Sequence, residues 1–365
     1  MTYAELISRL DEIDPIAYGK SRNFTEGAVT QLSPYISRGV IDTKTVLLHL
    51  VKRGFKYYHV QKFVQQMAWR EFFQRVWQSE GERIHTDLKQ EQGAKFNNGM
   101  SLSVDHATTG IEAIDASIKV LKQTGYMHNH LRMYTAFMNC NLAGFHWHDA
   151  AKWMYYHLLD GDWASNALSW QWVAGTFSSK KYIANQENIN HYAKSSQRKT
   201  YIDCSYEELA EASAPAHLLE SVDLNLTTNL PVAAPITIDN SKPTCIYNYY
   251  NLSPTWRKGE DANRVLLLEP ELFERYPVSD GCIAFMMEQC KKIEGIQVFV
   301  GSFAELQKNT RTSILYYREH PLNRHYKGIE DPREWMIQAS LPVKGSFFSF
   351  WKKYERQIER NYFNK

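Results

Sequence analysis

The stretch LLDGDWASNALSWQWVAGT, residues 158–176, carries the strongest structural signal in the chain. Its Asp160-Gly161-Asp162 triplet is typical of a turn that ends one helix, and a further helix is predicted just after it. If that helix starts promptly, Asp162, Asn166 and Trp170 are spaced four residues apart and lie along one face. The stretch therefore predicts a helix with a polar and aromatic stripe.

Apolar residues at helical spacing continue upstream of this stretch, so we expect the first two hundred residues to be nearly all helix. Helices are predicted at about 42–52, 60–77, 111–122, 128–140 and 149–159, with a sixth directly after the turn. Asp42 is a predicted N-cap, and Gly54 and Gly125 follow the ends of their helices.

Two of these helices also have polar and aromatic faces. The residues that share the faces are Gln66, Trp69 and Arg70 on the second helix, and Asn129, Arg132 and Met133 on the fourth. Each set is spaced at i, i+3 and i+4. Taken alone, such a face is equally typical of interhelical hydrogen bonds and amphipathic packing.

The pattern changes after residue 200. Polar and small residues with several prolines indicate a linker over 201–242. Beyond it, short apolar runs at 244–247, 265–268, 296–300 and 313–317, with a helical stretch at about 281–292, predict a small α/β domain over 243–365 with a partly parallel sheet. The fold class expected is mainly α, with this small α/β domain at the end. It contains no GxGxxG or Walker sequence, so no motif supports nucleotide binding there.

Composition excludes several classes of protein. Hydrophobic residues make up 44% and charged residues 22%, values typical of folded globular proteins. A formal charge of +2 permits a basic patch but does not require one. The chain has neither a signal-peptide pattern at its start nor an apolar run long enough for a membrane span, and its five cysteines form no CxxC pair. We therefore expect a cytoplasmic location, no membrane association and no metal site.

Long motifs in order make this chain resemble the FAD-binding half of the cryptochrome/photolyase family over about residues 18–176. They are LSPYISRG at 32–39, WREFF at 69–73, TGIEAIDASIKVLKQTGYMHNHLRM at 109–133, and the opening stretch at 158–176. The family usually carries an α/β antenna domain before this half. We expect that domain to be absent here, because the resemblance begins by Tyr18. The segment after residue 242 is either a relocated relative of it or an unrelated appendage.

The resemblance implies FAD as cofactor, with 1–200 as its domain. The cofactor-binding residues that it implies are Tyr18, Thr30, Leu32, Ser33, Arg70, Asn129, Arg132, Asp160, Asp162 and Asn166. The segment from Thr30 to Ser33 matches the part that cradles the FAD phosphates. Asp160 matches the partner of the arginine, and Asn166 matches the residue that faces flavin N5. A neutral amide at this position favours the fully reduced flavin.

The resemblance also implies an electron-transfer chain, in which Trp170 and Trp147 match the first two tryptophans. The usual third tryptophan has no counterpart. Trp153, Trp163 or Tyr155 can replace it, or photoreduction is inefficient.

Substrate-facing positions match the family only in part. The residues implied are Gln66, Trp69, Asn129, His130, Met133 and Trp172. The loop after Thr176 departs from the commoner family pattern, and its Lys180 and Lys181 either contact DNA phosphates or belong to a solvated polar loop. Trp69 and Trp172 match the aromatic wall against which an extruded base pair stacks. Gln66 stands where the dimer-repairing class has a glutamate, and His130 replaces an arginine.

Three functions follow as hypotheses. The first is light-driven repair of a pyrimidine dimer in damaged DNA, with Trp170, Trp147, Asn166 and Gln66 as the catalytic set. The second is a cryptochrome-like photoreceptor that acts through a signalling partner. The third is a flavoprotein with a redox function in the dark.

Overall fold

The computed structural model describes residues 1–93, 97–310, 314–338, 343 and 345–364. The chain forms two compact units. Unit 1 comprises Met1–Pro15, Thr30–Ser79 and Thr227–Lys365, and unit 2 comprises Ile16–Val29 and Glu80–Leu226.

Helices dominate the part of the chain before residue 212. In chain order the α-helices are α1 Tyr3–Arg9, α2 Pro15–Ser21, α3 Ser33–Ser37, α4 Thr43–Lys52, α5 Tyr57–Glu80, α6 Leu102–Asp105, α7 Glu112–Thr124, α8 Asn129–Phe137, α9 Trp147–His157, α10 Trp163–Ala174, α11 Gln186–Ala193, α12 Tyr206–Glu211, α13 Pro270–Arg275, α14 Asp280–Cys290, α15 Phe303–Asn309 and α16 Phe347–Ile358. Short 3₁₀ segments lie at Leu10–Glu12, Gly81–His85, Ala216–Leu218 and Pro321–Asn323, and π-helical segments at Met138–Leu142 and Glu359–Phe363. No helix in the described ranges is long and apolar enough to cross a membrane.

The strands form two sheets. They are β1 Met100–Ser101, β2 Ser221–Val222, β3 Thr244–Tyr247, β4 Asn263–Leu268, β5 Ile296–Val300, β6 Leu315–Arg318 and β7 Ile329–Asp331. In unit 2, β1 pairs with β2 in antiparallel fashion. In unit 1 the other five strands form a parallel sheet in the order β5-β4-β3-β6-β7.

The parallel sheet explains the apolar runs of the second half of the sequence. Its first strand, β3, lies in the middle and is buried at every residue, as expected for a parallel strand covered on both faces. The chain adds strands on one side of β3 and then on the other, which is the doubly wound arrangement. Ile246, Val265, Leu306 and Leu315 pack together in the core of this sheet.

A buried carboxylate links distant segments of unit 1. Glu71 on α5 is 1% exposed. It accepts hydrogen bonds from the hydroxyls of Thr43 and Tyr354 and from the backbone N–H of Met336 at 2.9 Å. The Tyr354 oxygen also accepts the N–H of Ile337 at 3.1 Å. Because a buried acid is costly unless its oxygens are hydrogen-bonded, this network ties α4, α5 and α16 together.

The helices of unit 2 have clear end signals. The Asp162 side chain accepts the N–H of Ser165 at 2.8 Å and so caps α10. Gly125 ends α7 in the left-handed region, at φ 71°, and a Cβ there would lie 2.5 Å from Leu159 Cγ. Only glycine allows this approach, which holds the 158–162 turn beside the start of α8.

The predicted fold class, mainly helical with a small α/β segment at the end, is confirmed by the helices and the parallel sheet. All six predicted helices are present. The predicted 149–159 helix begins earlier, at Trp147, because the His146 side chain caps it by accepting the His148 N–H. The sheet is wholly parallel rather than partly so. Part of the predicted run at 313–317 lies outside the described residues.

The division into compact units differs from the predicted boundaries at 200 and 242. Unit 1 combines the start of the chain and α4–α5 with the segment after Thr227. The predicted linker, 201–242, contains α12 and β2. α12 forms because Ser205 and Glu208 make a reciprocal capping box, which satisfies two backbone N–H groups.

The Glu71 network predicts a measurable cost for one hydroxyl. Tyr354→Phe leaves a buried carboxylate oxygen and the Ile337 N–H without a partner, so we expect the free energy of unfolding to fall by about 1–3 kcal/mol. Urea-induced unfolding measures this change. Tyr58→Phe, at a tyrosine that is 69% exposed, is the matched control and should change stability by less than about 0.5 kcal/mol. Equal stability of the two variants would contradict this role.

Candidate functional site

The predicted site residues are distributed over both compact units. The unit 2 residues are Tyr18, Asn129, His130, Arg132, Met133, Trp147, Asp160, Asp162, Asn166, Trp170, Trp172, Lys180 and Lys181. The unit 1 residues are Thr30, Leu32, Ser33, Gln66, Trp69 and Arg70.

An ion pair in unit 2 joins the start of α8 to the turn before α10. Nη2 of Arg132 lies 3.0 Å from both carboxylate oxygens of Asp160, and Nε of Arg132 donates to the Met127 carbonyl at 2.8 Å. The Asp160 side chain is 10% exposed and that of Arg132 is 23% exposed. A charge-assisted pair of this kind fixes the guanidinium and the turn together.

The stripe predicted on α10 is present. Asp162, Asn166 and Trp170 are all buried. The Asn166 amide donates to the Ala151 carbonyl of α9 at 2.7 Å, which links the two helices. Trp147 precedes Ala151 by four residues, and Trp170 follows Asn166 by four. Trp147 on α9 and Trp170 on α10 therefore each lie about one helical turn from the hydrogen bond that joins the two helices.

The Trp147 indole has a carboxylate partner that the sequence did not reveal. Its Nε1 donates to Asp87 Oδ1 at 2.6 Å. Asp87 lies far upstream in the chain and belongs to no motif, so only the tertiary fold brings it to Trp147. Trp153 has a similar partner in Asp105, at 2.7 Å.

The three residues proposed to replace the missing third tryptophan are all buried. Trp153 is 1% exposed, Trp163 0% and Tyr155 2%. Trp163 stacks against His85 with a ring-centroid distance of 5.3 Å and meets the edge of Tyr155 at 5.6 Å. Which of them continues the electron chain stays a prediction.

The predicted DNA-facing residues of unit 2 lie at or near its surface. Trp172 is 37% exposed, and its ring centroid lies 5.7 Å from that of Tyr182. Lys180 and Lys181 are exposed, and the Lys181 stem lies beside Gly175, at the end of α10. Asn129 is exposed at the start of α8, with its amide 3.8 Å from the sulfur of Met133.

The His130 side chain is an uncharged ring that stacks on a neighbouring aromatic residue. Its ring stacks on Tyr192 with a centroid distance of 4.5 Å and an interplanar angle of 14°. Burial, helped by the neighbouring His128, lowers the pKa of His130 to about 4. The imidazole is therefore neutral near pH 7, unlike the arginine that it replaces in the dimer-repair pattern.

In unit 1 the segment 30–33 forms the entry to a short helix. The Leu32 N–H donates to the Thr30 hydroxyl at 3.4 Å, Leu32 is buried, and α3 begins at the exposed Ser33. Gln31 has a left-handed backbone, at φ 54°. This turn places the Thr30 hydroxyl just before α3 and the Ser33 hydroxyl on the first residue of α3.

Gln66, Trp69 and Arg70 share one partly exposed face of α5, as predicted. One face of the Trp69 indole is covered by Phe347 of α16, at a centroid distance of 3.6 Å and an angle of 12°. Arg70 lines a cavity of about 60 Å³ together with Arg318, His320 and other residues of unit 1. Neither the Trp69 stack nor the cavity was predictable from the sequence, because α16 and β6 lie more than two hundred residues downstream.

The donor chemistry of unit 2 fits a flavin dinucleotide. Nε of Arg22 and Oγ of Ser165 are buried atoms without a hydrogen-bond partner among the described residues. A guanidinium N–H and a hydroxyl suit phosphate and carbonyl oxygens, which FAD supplies in number. A group of three or more His, Cys, Asp or Glu side chains able to hold a metal does not occur within the described ranges.

Comparisons with known proteins identify a family for this segment. Residues 63–239 match the family described as the FAD binding domain of DNA photolyase. A deoxyribodipyrimidine photo-lyase of Vibrio cholerae is 30% identical over 168 residues, which cover 44% of this chain and 36% of the relative. A chloroplastic/mitochondrial cryptochrome DASH of Ostreococcus tauri is 28% identical over 240 residues, covering 60% and 43% of the two chains.

Among solved structures, this chain is similar to a bacterial class III photolyase from Agrobacterium tumefaciens. The identity is 23% and the TM-score 0.46, over 52% of this chain and 42% of that one. The chain thus spans less than half the length of these relatives. The resemblance seen in the sequence and the prediction of FAD as cofactor are confirmed by the family match.

His130 predicts part of the pH dependence of stability. Its folded pKa of about 4 lies below the ordinary value of 6.5, so the folded state binds fewer protons than the unfolded chain between these values. This contribution to stability is fully present above pH 6.5 and is lost as the pH falls toward 4. The free energy of unfolding of His130→Gln should therefore fall less steeply than that of the wild type over this range.

Urea titrations at several pH values measure this slope. The wild type, titrated over the same pH range in the same buffers, is the reference. A wild-type slope in His130→Gln would show that His130 is not held neutral by burial.

Proposed function

Since residues 63–239 belong to the FAD-binding domain family of DNA photolyases, we propose that this protein repairs pyrimidine dimers in damaged DNA, using blue light and reduced FAD. In this proposal the protein is a deoxyribodipyrimidine photolyase, a carbon–carbon lyase. The dimer is extruded from the DNA stack before the reaction. Extrusion costs a few kcal/mol and least at a damaged, poorly stacked base, which favours the lesion over intact DNA.

The observation that carries the proposal is the exposed Trp172 at the end of α10, with Lys180 and Lys181 exposed in the following loop. Trp172 is 37% exposed, so part of its ring is accessible for stacking against a base. Aromatic rings beside positive charge are the arrangement that binds unstacked bases and tracks their phosphates. The same helix carries Asn166 and Trp170, so a base stacked on Trp172 lies close to the residues assigned to the flavin.

The flavin, when bound and reduced, supplies the electron that light drives onto the lesion. The residues of unit 2 position it. In this proposal the Arg132–Asp160 pair and Asp162 hold the polar edge of the flavin, and Asn166 presents a neutral amide to it. An amide carries no charge and no transferable proton, so Asn166 favours a cofactor that stays fully reduced. Trp170 and Trp147 restore that state after oxidation.

The remaining assignments follow from the resemblance. Tyr18 of unit 2 and Thr30, Leu32, Ser33 and Arg70 of unit 1 are proposed to bind FAD. Gln66, Trp69, Asn129, His130 and Met133 are proposed to contact the lesion. Trp69 stacks on Phe347 and is only partly buried, so it is proposed to contact a base through the exposed part of its ring. Because His130 is neutral, it adds stacking surface rather than charge to the DNA contact.

A second candidate function is a cryptochrome-like photoreceptor that signals through a protein partner. Gln66 favours it, because its amide can hydrogen-bond a lesion carbonyl but cannot carry the charge or proton of the glutamate in the dimer-repairing class. We place either function in the cytoplasm. All five cysteines are unpaired, as is usual in a reducing compartment.

The repair proposal is tested by illuminating the purified protein under reductant with an oligothymidine that contains cyclobutane dimers. We expect thymine absorbance to recover in the light and not in the dark, because dimer splitting restores the conjugated bases. Flavin photoreduction without recovery, on both cyclobutane and six-four substrates, would contradict repair and favour the photoreceptor.

The lesion surface is tested by substitution. Trp172→Ala should leave flavin content unchanged and weaken binding to damaged single strands roughly tenfold or more, since a stacked base contributes about 1–3 kcal/mol. Trp172→Phe retains an aromatic face and should recover most of this affinity. Asn129→Ala should weaken both flavin retention and lesion binding. Unchanged affinity in Trp172→Ala would show that the lesion binds elsewhere.

A further inference from the structure

The Trp147 indole is buried with its N–H on a carboxylate. Trp147 is 0% exposed, and its Nε1 lies 2.6 Å from Asp87 Oδ1. This distance is shorter than the usual 2.9–3.0 Å of an N–H···O bond and is typical of a charged acceptor. Asp87 is therefore already in position to take the indole proton.

Gln92 connects Asp87 to the backbone at Trp147 through hydrogen bonds. The second carboxylate oxygen, Oδ2, accepts the backbone N–H of Gln92 at 2.7 Å. The Gln92 side chain accepts the backbone N–H of Trp147 at 3.0 Å and donates to the Phe145 carbonyl at 2.8 Å. Gln92 is 4% exposed. This closed set of hydrogen bonds keeps the carboxylate on the indole.

His146 approaches the same oxygen from the solvent side. Its Nε2 lies 3.2 Å from Asp87 Oδ1, and its Nδ1 accepts the His148 N–H. Because Nδ1 accepts a hydrogen bond, the proton of a neutral His146 ring is on Nε2. Nε2 therefore donates to Asp87. The side chains of His146 and Asp87 are 21% and 14% exposed. The pair thus reaches water, whereas the indole does not.

We propose that Asp87 is the proton acceptor of Trp147 during photoreduction of the flavin. This inference rests on the proposed function, in which Trp147 and Trp170 are successive electron donors. When bound, oxidised flavin excited by light would supply the oxidant that removes an electron from Trp170. The oxidised Trp170 then takes an electron from Trp147, the Nε1–H bond of Trp147 breaks, and an O–H bond forms on Asp87. The products are a neutral indolyl radical and a carboxylic acid.

Transfer of the proton to Asp87 slows the return of the electron from the flavin side to Trp147. A radical cation at Trp147 can be refilled by return of the electron alone, but a neutral radical requires the proton to return as well. The carboxylate also favours removal of the electron, because a negative charge at hydrogen-bond distance stabilises the developing positive charge on the indole. Asp87 therefore acts on Trp147, both by holding the indole in place and by accepting its proton.

The test is flash excitation of the oxidised holoprotein, following the absorption bands of the tryptophan radical cation and neutral radical. In Asp87→Asn the amide oxygen can still accept the indole N–H, although the Gln92 N–H then loses its acceptor. Because the base is lost, conversion to the neutral radical should slow at least tenfold and the yield of reduced flavin should fall. Asp149→Asn is the matched control. It removes a carboxylate two residues from Trp147 that does not receive the indole N–H, and its conversion rate should stay within twofold of the wild type.

Folding of each variant is checked by circular dichroism and flavin content. If Asp87→Asn does not fold, the proposal is tested by the dependence of the wild-type conversion rate on buffer concentration. An internal acceptor makes the conversion rate independent of buffer-base concentration, whereas a rate that rises with buffer base would overturn the proposal. An unchanged rate in Asp87→Asn would overturn it while leaving repair by the reduced protein intact. Absence of any tryptophan radical in the wild type would overturn both this inference and the electron chain.

Discussion

The ion pair between Arg132 and Asp160 is the interaction on which the candidate site depends. One guanidinium nitrogen at 3.0 Å from two carboxylate oxygens fixes the turn after α9 to the start of α8. The same turn supplies Asp162, which caps α10 and thereby sets the rotation of that helix. Gly125 allows the turn to approach α7 closely. The positions of Asn166, Trp170 and Trp172 all follow from this one anchored turn.

The α9–α10 pair brings chemistry from separate parts of the sequence into one layer. The Asn166 amide is hydrogen-bonded to α9, and Trp147 and Trp170 each lie about one helical turn from this bond. All three lie in a well-packed interior, where rings have little freedom to reorient. A rigid, dry arrangement of aromatic rings and amides suits electron transfer, because little reorganisation accompanies the change in charge. The exposed Trp172 at the end of the same helix connects this interior to the surface.

Local signals made much of this fold predictable from the sequence. Helical periodicity with Asp42, Gly125 and the Asp160-Gly161-Asp162 turn gave the helices, and the apolar runs gave the parallel strands. The capping box of Ser205 and Glu208 was equally visible and would have shown α12 inside the predicted linker. Contacts between distant segments were not predictable. The Asp87–Trp147 bond, the Trp69–Phe347 stack and the Glu71 network each join residues that share no motif, and only packing selects them.

The assignment of this site to a flavin is best tested by the identity and amount of the cofactor in the purified protein. Heat denaturation releases the bound flavin, and mass spectrometry with absorbance identifies and counts it. We expect close to one FAD per chain in the wild type and a marked loss in Asp160→Asn, which breaks the ion pair that anchors the site. A protein that contains no FAD, or an Asp160→Asn variant that retains it fully, would contradict the assignment of this site to the flavin.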